Sequence, residues 1–184
     1  MATTQFNSAA ERRDAALLGM WVFLATELMF FGPLFLGYLH GRIADYEAFV
    51  SGSRHMHLWL GTANTAILLT SSFTIALAVH KADSRKPLLL LTAALGAAFL
   101  GIKAFEYASE WHEAAAAAGG AALFYFVYFA MTGLHALHLI VGIGLVLWTV
   151  RQARAVELVG LYWHFVDIVW IFLYPMFYLL ERYR

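Results

Sequence analysis

The chain has 184 residues, 62% of them hydrophobic and 16% aromatic, and only 13% charged. Twelve basic side chains balance twelve acidic ones, so nothing favours a nucleic-acid partner, and the lack of cysteine excludes disulfides, thiolate metal sites, iron–sulfur clusters and thioether-linked haem. A soluble domain is about half apolar and a quarter charged. A mean hydropathy of +0.68 instead marks an integral membrane protein, predicted all-α and built as one domain over residues 1–184.

The polar head, "MATTQFNSAAERRDA", does not read as a signal peptide, because the apolar run behind it is too long and lacks a small-residue cleavage site. Five apolar runs predict transmembrane helices at roughly 16–39, 58–79, 88–111, 122–150 and 158–180. Each holds about 20 residues or more, enough to cross ~30 Å of hydrocarbon. Their apolarity is continuous rather than alternating, which argues against barrel strands.

The first run, "GMWVFLATELMFFGPLFLGYLH", carries Glu27 about halfway along. A charge at that depth costs at least ~3 kcal/mol, so the carboxyl is either neutral or faces a partner in the bundle. "HGRIADYEAFVSGSRHMH" reads as the connection to the second run, and "HKADSRKP" leads to the third, which Pro87 opens. The third run ends in "KAFEYASEWHE", where Lys103, Glu106 and Glu110 share a helix face. They predict an internal ion-pair network in the outer third of the membrane, where Lys103 can snorkel.

After the low-complexity "HEAAAAAGGA", the fourth run contains "MTGLHALHLIVG", with His135 and His138 three apart. Both are candidate partners for Glu27, either in a packing hydrogen bond or at a proton site. They could also share a metal ion with Glu27 or Glu106, or His135 and His164 could be axial haem ligands. No carboxylate–histidine motif repeats on a second helix, which counts against metal, and any two histidines in a bundle permit haem. "RQARAVE" leads to the fifth run, "VELVGLYWHFVDIVWIFLYP". There His164 and Asp167 are expected to pair, with Trp163 and Trp170 on the same stripe against another helix or a lipid. The short connections make successive helices antiparallel neighbours.

Arg12, Arg13, Lys81, Arg85, Lys86, Arg151 and Arg154 flank the spans on the N-terminal side, against Arg42, Arg54, Arg182 and Arg184 on the other. This excess of basic residues predicts a cytoplasmic N-terminus and a periplasmic C-terminus. Arg151 and Arg154 are also candidates for anionic lipid headgroups, at about 1 kcal/mol per charge.

Three blocks resemble the cytochrome c oxidase subunit III family of haem–copper oxidases. They are the Glu27 helix, "FVYFAMTGLHALHLIVGIGLVLW" and "ELVGLYWHFVDIVWIFLYPMFYLL", with "KAFEY" as a weaker fourth match. The resemblance runs from the first helix to the end of the chain. It implies a non-catalytic subunit without haem or copper of its own, those cofactors lying in partner subunits. Its partners would be the oxygen-reducing, proton-pumping subunit I, subunit II and phospholipids, and a respiratory supercomplex is a further candidate. It is expected to support sustained turnover and proton uptake in a bacterial cytoplasmic (inner) membrane.

The family's carboxylate matches Glu27, its histidines match His135, His138 and His164, its aspartate matches Asp167, and a lipid-phosphate arginine falls near Arg151. The longer family form has seven helices and a lipid cleft beside its first two, which this chain lacks. Five-helix members occur in cytochrome c oxidases, quinol oxidases and a nitric-oxide-reductase-associated branch, so the electron donor stays open. From other classes, a small transporter or proton channel using Glu27 and a cytochrome b-like haem protein are the rivals.

Overall fold

The computed structural model describes residues 9–152 and 155–180. These form α1 (Ala9–Ala44), α2 (Tyr46–His55), α3 (Leu58–His80), α4 (Arg85–Ala116), α5 (Gly120–Thr149) and α6 (Val156–Tyr174), the last continued by a π-helical turn, Pro175–Leu179. All but α2 are long and apolar enough to cross a membrane, so the chain is an all-α, multi-pass membrane bundle. At 36 and 32 residues, α1 and α4 exceed what a bilayer needs. They therefore tilt or project beyond the hydrocarbon.

Helices α3, α4, α5 and α6 form a four-helix core, and α1 lies outside it against α5 and α6. The expectation that each helix neighbours the next therefore fails for α1 and α3. The reason is the stretch between them, which is not a plain loop. Ten of its residues form α2, which lays Phe49, Val50, Gly52 and Ser53 against α5 and the π-helical turn and carries the chain across the end of the bundle. Gly52 is required there, because a Cβ would stand 2.3 Å from the Phe124 ring.

Lipid is as apolar as leucine, so small residues and hydrogen bonds, rather than apolar burial, hold helices together in a bilayer. Trp163 of α6 is fully buried in a notch between two glycines. A Cβ on Gly96 of α4 would lie 2.8 Å from its ring, and one on Gly142 of α5 would lie 3.3 Å away. Between α3 and α4, Thr74 and Thr92 share a 2.7 Å hydrogen bond, and Arg85 Nε donates to the Ala78 carbonyl at 3.1 Å.

The end of α6 is held in a similar way. Pro175 has no N–H, and the helix there widens into the π-helical turn. The carbonyls at its end would otherwise lack donors. Tyr38 of α1 donates to the Met176 carbonyl at 2.6 Å, and Ser53 of α2 donates to that of Phe177 at 2.7 Å.

Candidate functional site

The ionisable residues inside the spans group at three places. The first is Glu27 on α1, whose Oε2 lies 3.1 Å from His138 Nε2 on α5. His138 Nδ1 meets the Leu134 carbonyl at 2.9 Å, and a carbonyl can only accept, so Nδ1 carries a proton. The bond at Nε2 then holds one more proton, on either the carboxyl or the ring. Both arrangements leave the pair neutral, which is how a carboxyl is tolerated at this depth. The pair is only partly covered, with side-chain exposures of 19% for Glu27 and 14% for His138.

His135, three residues away, does not join them. It is fully buried in the core, 5.6 Å from the Phe99 ring and 5.2 Å from that of Trp170, centroid to centroid. The two histidines thus serve different faces of α5, and the idea of an ion shared by both with Glu27 fails on geometry. Among the described residues no three His, Asp or Glu side chains are grouped as a metal site requires.

The second place is Lys103 on α4. It does not snorkel, because it is 3% exposed and points inward. Its three N–H donors are all used: Glu106 Oε2 lies at 2.8 Å, and Tyr128 Oη and Tyr178 Oη both lie at 2.9 Å. Tyr178 in turn donates to Glu106 Oε1. A buried charge is tolerable only when paired and bonded in this way. Glu110 shares the helix face and is buried, yet bonds to neither. Tyr128 and Tyr178 were not singled out in the sequence, because nothing local separates a tyrosine that solvates an ammonium from an interfacial anchor.

The third place is α6. Trp163 Nε1 donates to Ser71 Oγ at 3.1 Å and Trp170 Nε1 to Thr65 Oγ1 at 3.0 Å, so this stripe faces α3 rather than lipid. Asp167 lies between them, 3% exposed and beside Ser72 of α3. The expected His164–Asp167 pair is absent. His164 follows Trp163 by one residue, about 100° around the helix, and its Nδ1 instead meets Ser72 Oγ of α3 at 2.7 Å. Its ring also borders a groove of 390 Å³ between α1 and α6, lined by Trp21, Leu28, Phe35, Phe165 and Phe172. His164 therefore does not oppose His135 as a second axial ligand would.

At the end where α1 and α6 begin, Arg13 grips Glu157 with two bonds, of 2.9 and 2.7 Å. The sequence carried no signal for this pair, because the residues are 144 positions apart. Arg151 is exposed just beyond α5, while Arg154 lies outside the described residues.

Residues 2–181 match the family model described as cytochrome c oxidase subunit III. The chain is 35% identical to the cytochrome c oxidase subunit 3 of Thermostichus vulcanus, over 95% of this chain and 92% of that protein. It is 33% identical to the quinol oxidase subunit 3 of Bacillus subtilis, over 89% and 86% respectively. It is also 32% identical to part of the heme-copper oxidase subunit I+III of Aeropyrum pernix, over 91% of this chain and 23% of that longer one. With nearly its whole length matched, the chain belongs to the cytochrome c oxidase subunit III family.

Proposed function

We propose that the chain is a cofactor-free, non-catalytic subunit III of a bacterial proton-pumping haem–copper terminal oxidase of the cytochrome c type. It packs on subunit I beside subunit II, stabilises the catalytic subunit and supports its proton uptake. It sits in the cytoplasmic membrane with its N-terminus inside. One observation carries the reading: the chain aligns over most of its length with subunits III of both cytochrome c and quinol oxidases. The Aeropyrum pernix relative, whose name joins subunits I and III in one chain, supports contact with subunit I.

The interior polar residues are used to pin helix to helix. Glu27 ties α1 to α5, and Lys103 and Glu106 tie α4 to α5 and the end of α6. That use favours an accessory subunit over a transporter or channel built on Glu27. The basic end, Arg151 included, meets anionic phospholipid headgroups, and the grooves flanking α1 take acyl chains. A quinol oxidase or a nitric-oxide-reductase-associated enzyme is the alternative parent complex.

Affinity purification of the tagged chain from membranes in mild detergent tests this. Subunits I and II should co-purify with the haem and copper, and the complex should oxidise reduced cytochrome c in preference to a quinol. A chain that purifies alone, carries its own haem band, or conducts protons by itself in liposomes would overturn the reading. Preference for quinol would move it to the alternative complex.

A further inference from the structure

The second half of α4 carries a line of ionisable side chains three and four residues apart: Lys103, Glu106, Glu110 and Glu113. That spacing sets them on one helix face. Lys103 and Glu106 are paired, and the ammonium has no donor left. Glu113 is exposed and accepts from Tyr125 Oη at 3.1 Å. Glu110, between the two, is 4% exposed, and its Oε2 is buried without a hydrogen-bond partner among the described residues.

The surroundings of Glu110 come from three sides. Helices α3 and α4 run antiparallel, and the Thr74–Thr92 bond fixes their register. Counting back along α3 from Thr74 and forward along α4 from Thr92 reaches His57 and Glu110 at the same level. His57 and His55, Glu113 and Glu106 all act on the carboxyl electrostatically. Lys103 of α4 and Tyr125 and Tyr128 of α5 also lie within reach of its charge. Tyr125 is spent on Glu113, and His55 Nδ1 on the Ser51 carbonyl. Nothing gives Glu110 Oε2 a donor, and a buried carboxylate oxygen in that position is costly until the group takes up a proton.

We infer that Glu110 is a proton-binding site of this subunit, a buried carboxyl that loads from the aqueous phase at the end of α4 and unloads to it again. Loading forms one O–H bond and discharges the carboxylate; unloading returns the proton to water. Glu113, His55 and His57, all exposed, form its wet side. On the inner side Glu106 is already bonded to Lys103 and Tyr178, so the proton leaves by the way it came. The site has one entrance and is not a path across the membrane. It does not depend on which oxidase the subunit serves.

Infrared difference spectra of the purified assembly, recorded over a pH series in light and heavy water, test this. At neutral pH the wild type should show a protonated-carboxyl band that shifts in heavy water and fades in alkali. That component should be missing in Glu110→Gln and kept in Glu27→Gln. Glu113→Gln removes a like charge beside the site, so the band should fade at a lower pH than in the wild type. Identical spectra for wild type and Glu110→Gln would overturn the inference, as would a Glu110 band seen only in acid, the behaviour of an ordinary surface glutamate. A Glu110 band that ignores pH would mean a locked proton and would also overturn it. If Glu110→Gln does not assemble, Glu113→Gln decides, because an unmoved band refutes the site.

Discussion

Each ionisable residue in the spans takes its meaning from the atoms its neighbours leave free. Glu27 shares one proton with His138, so a side chain of the same shape that still bonds should serve. Glu27→Gln is expected to leave assembly and turnover near wild type. Glu27→Leu leaves His138 Nε2 unpaired, a loss of about 1–3 kcal/mol, visible as faster loss of the subunit from the complex in detergent. An assembled Glu27→Gln complex that does not turn over would show that the carboxyl moves protons instead.

Lys103 is the more demanding residue, because removing it strands a buried carboxylate. Lys103→Met should destabilise the subunit by about 3–5 kcal/mol, and adding Glu106→Gln should recover part of that loss. Both are read as subunit retained after heating. If the single variant proves neutral, the ammonium is not buried among those tyrosines. Spacing along α4 already paired Lys103 with Glu106, since residues three apart share a face. It was silent on Tyr128 and Tyr178, which arrive from other helices.

Between elements, close approach is set by glycine and by hydroxyl groups. Gly96→Val should push a methyl group into Trp163 and lower thermal stability by about 1–3 kcal/mol. Trp163→Phe in the same chain removes the ring carbon that Gly96 faces and should partly restore it. No rescue would mean that Gly96 matters for another reason. At the end of α6, Ser53→Ala and Tyr38→Phe each leave a π-turn carbonyl without its donor. Amide hydrogen exchange over 176–180 should quicken in both variants, and unchanged protection would dismiss the latch. Reading residues 40–57 as a simple connection missed α2 and the last turn of α1. The apolar face of α2 is only a few residues wide, and it gains stability from Phe124 and Phe177, partners that no local window contains.

The charge distribution along the whole chain argues for a cytoplasmic N-terminus. Arg13–Glu157, at the same end, is an exposed pair that adds little and does not set the topology. Orientation should therefore survive Arg13→Gln. A phosphatase fused after Arg184 should be active only if that end is periplasmic, and activity from an N-terminal fusion instead would invert the topology.

Composition and continuous apolar runs by themselves determined an all-α membrane bundle with five spans, because only a helix satisfies its own backbone inside lipid. Distinctive residue blocks also determined the family. Only the tertiary structure decided which face each helix shows to which neighbour. It chose His138 over His135 for Glu27 and gave His164 to Ser72 rather than Asp167. It also set α1 against α5 and α6 instead of α3. Spacing within a helix orders side chains around one axis, but how axes are placed and rotated against each other depends on close contacts between residues far apart in the chain. The Trp163 notch made by Gly96 and Gly142 is one such contact, and a linear sequence does not display it.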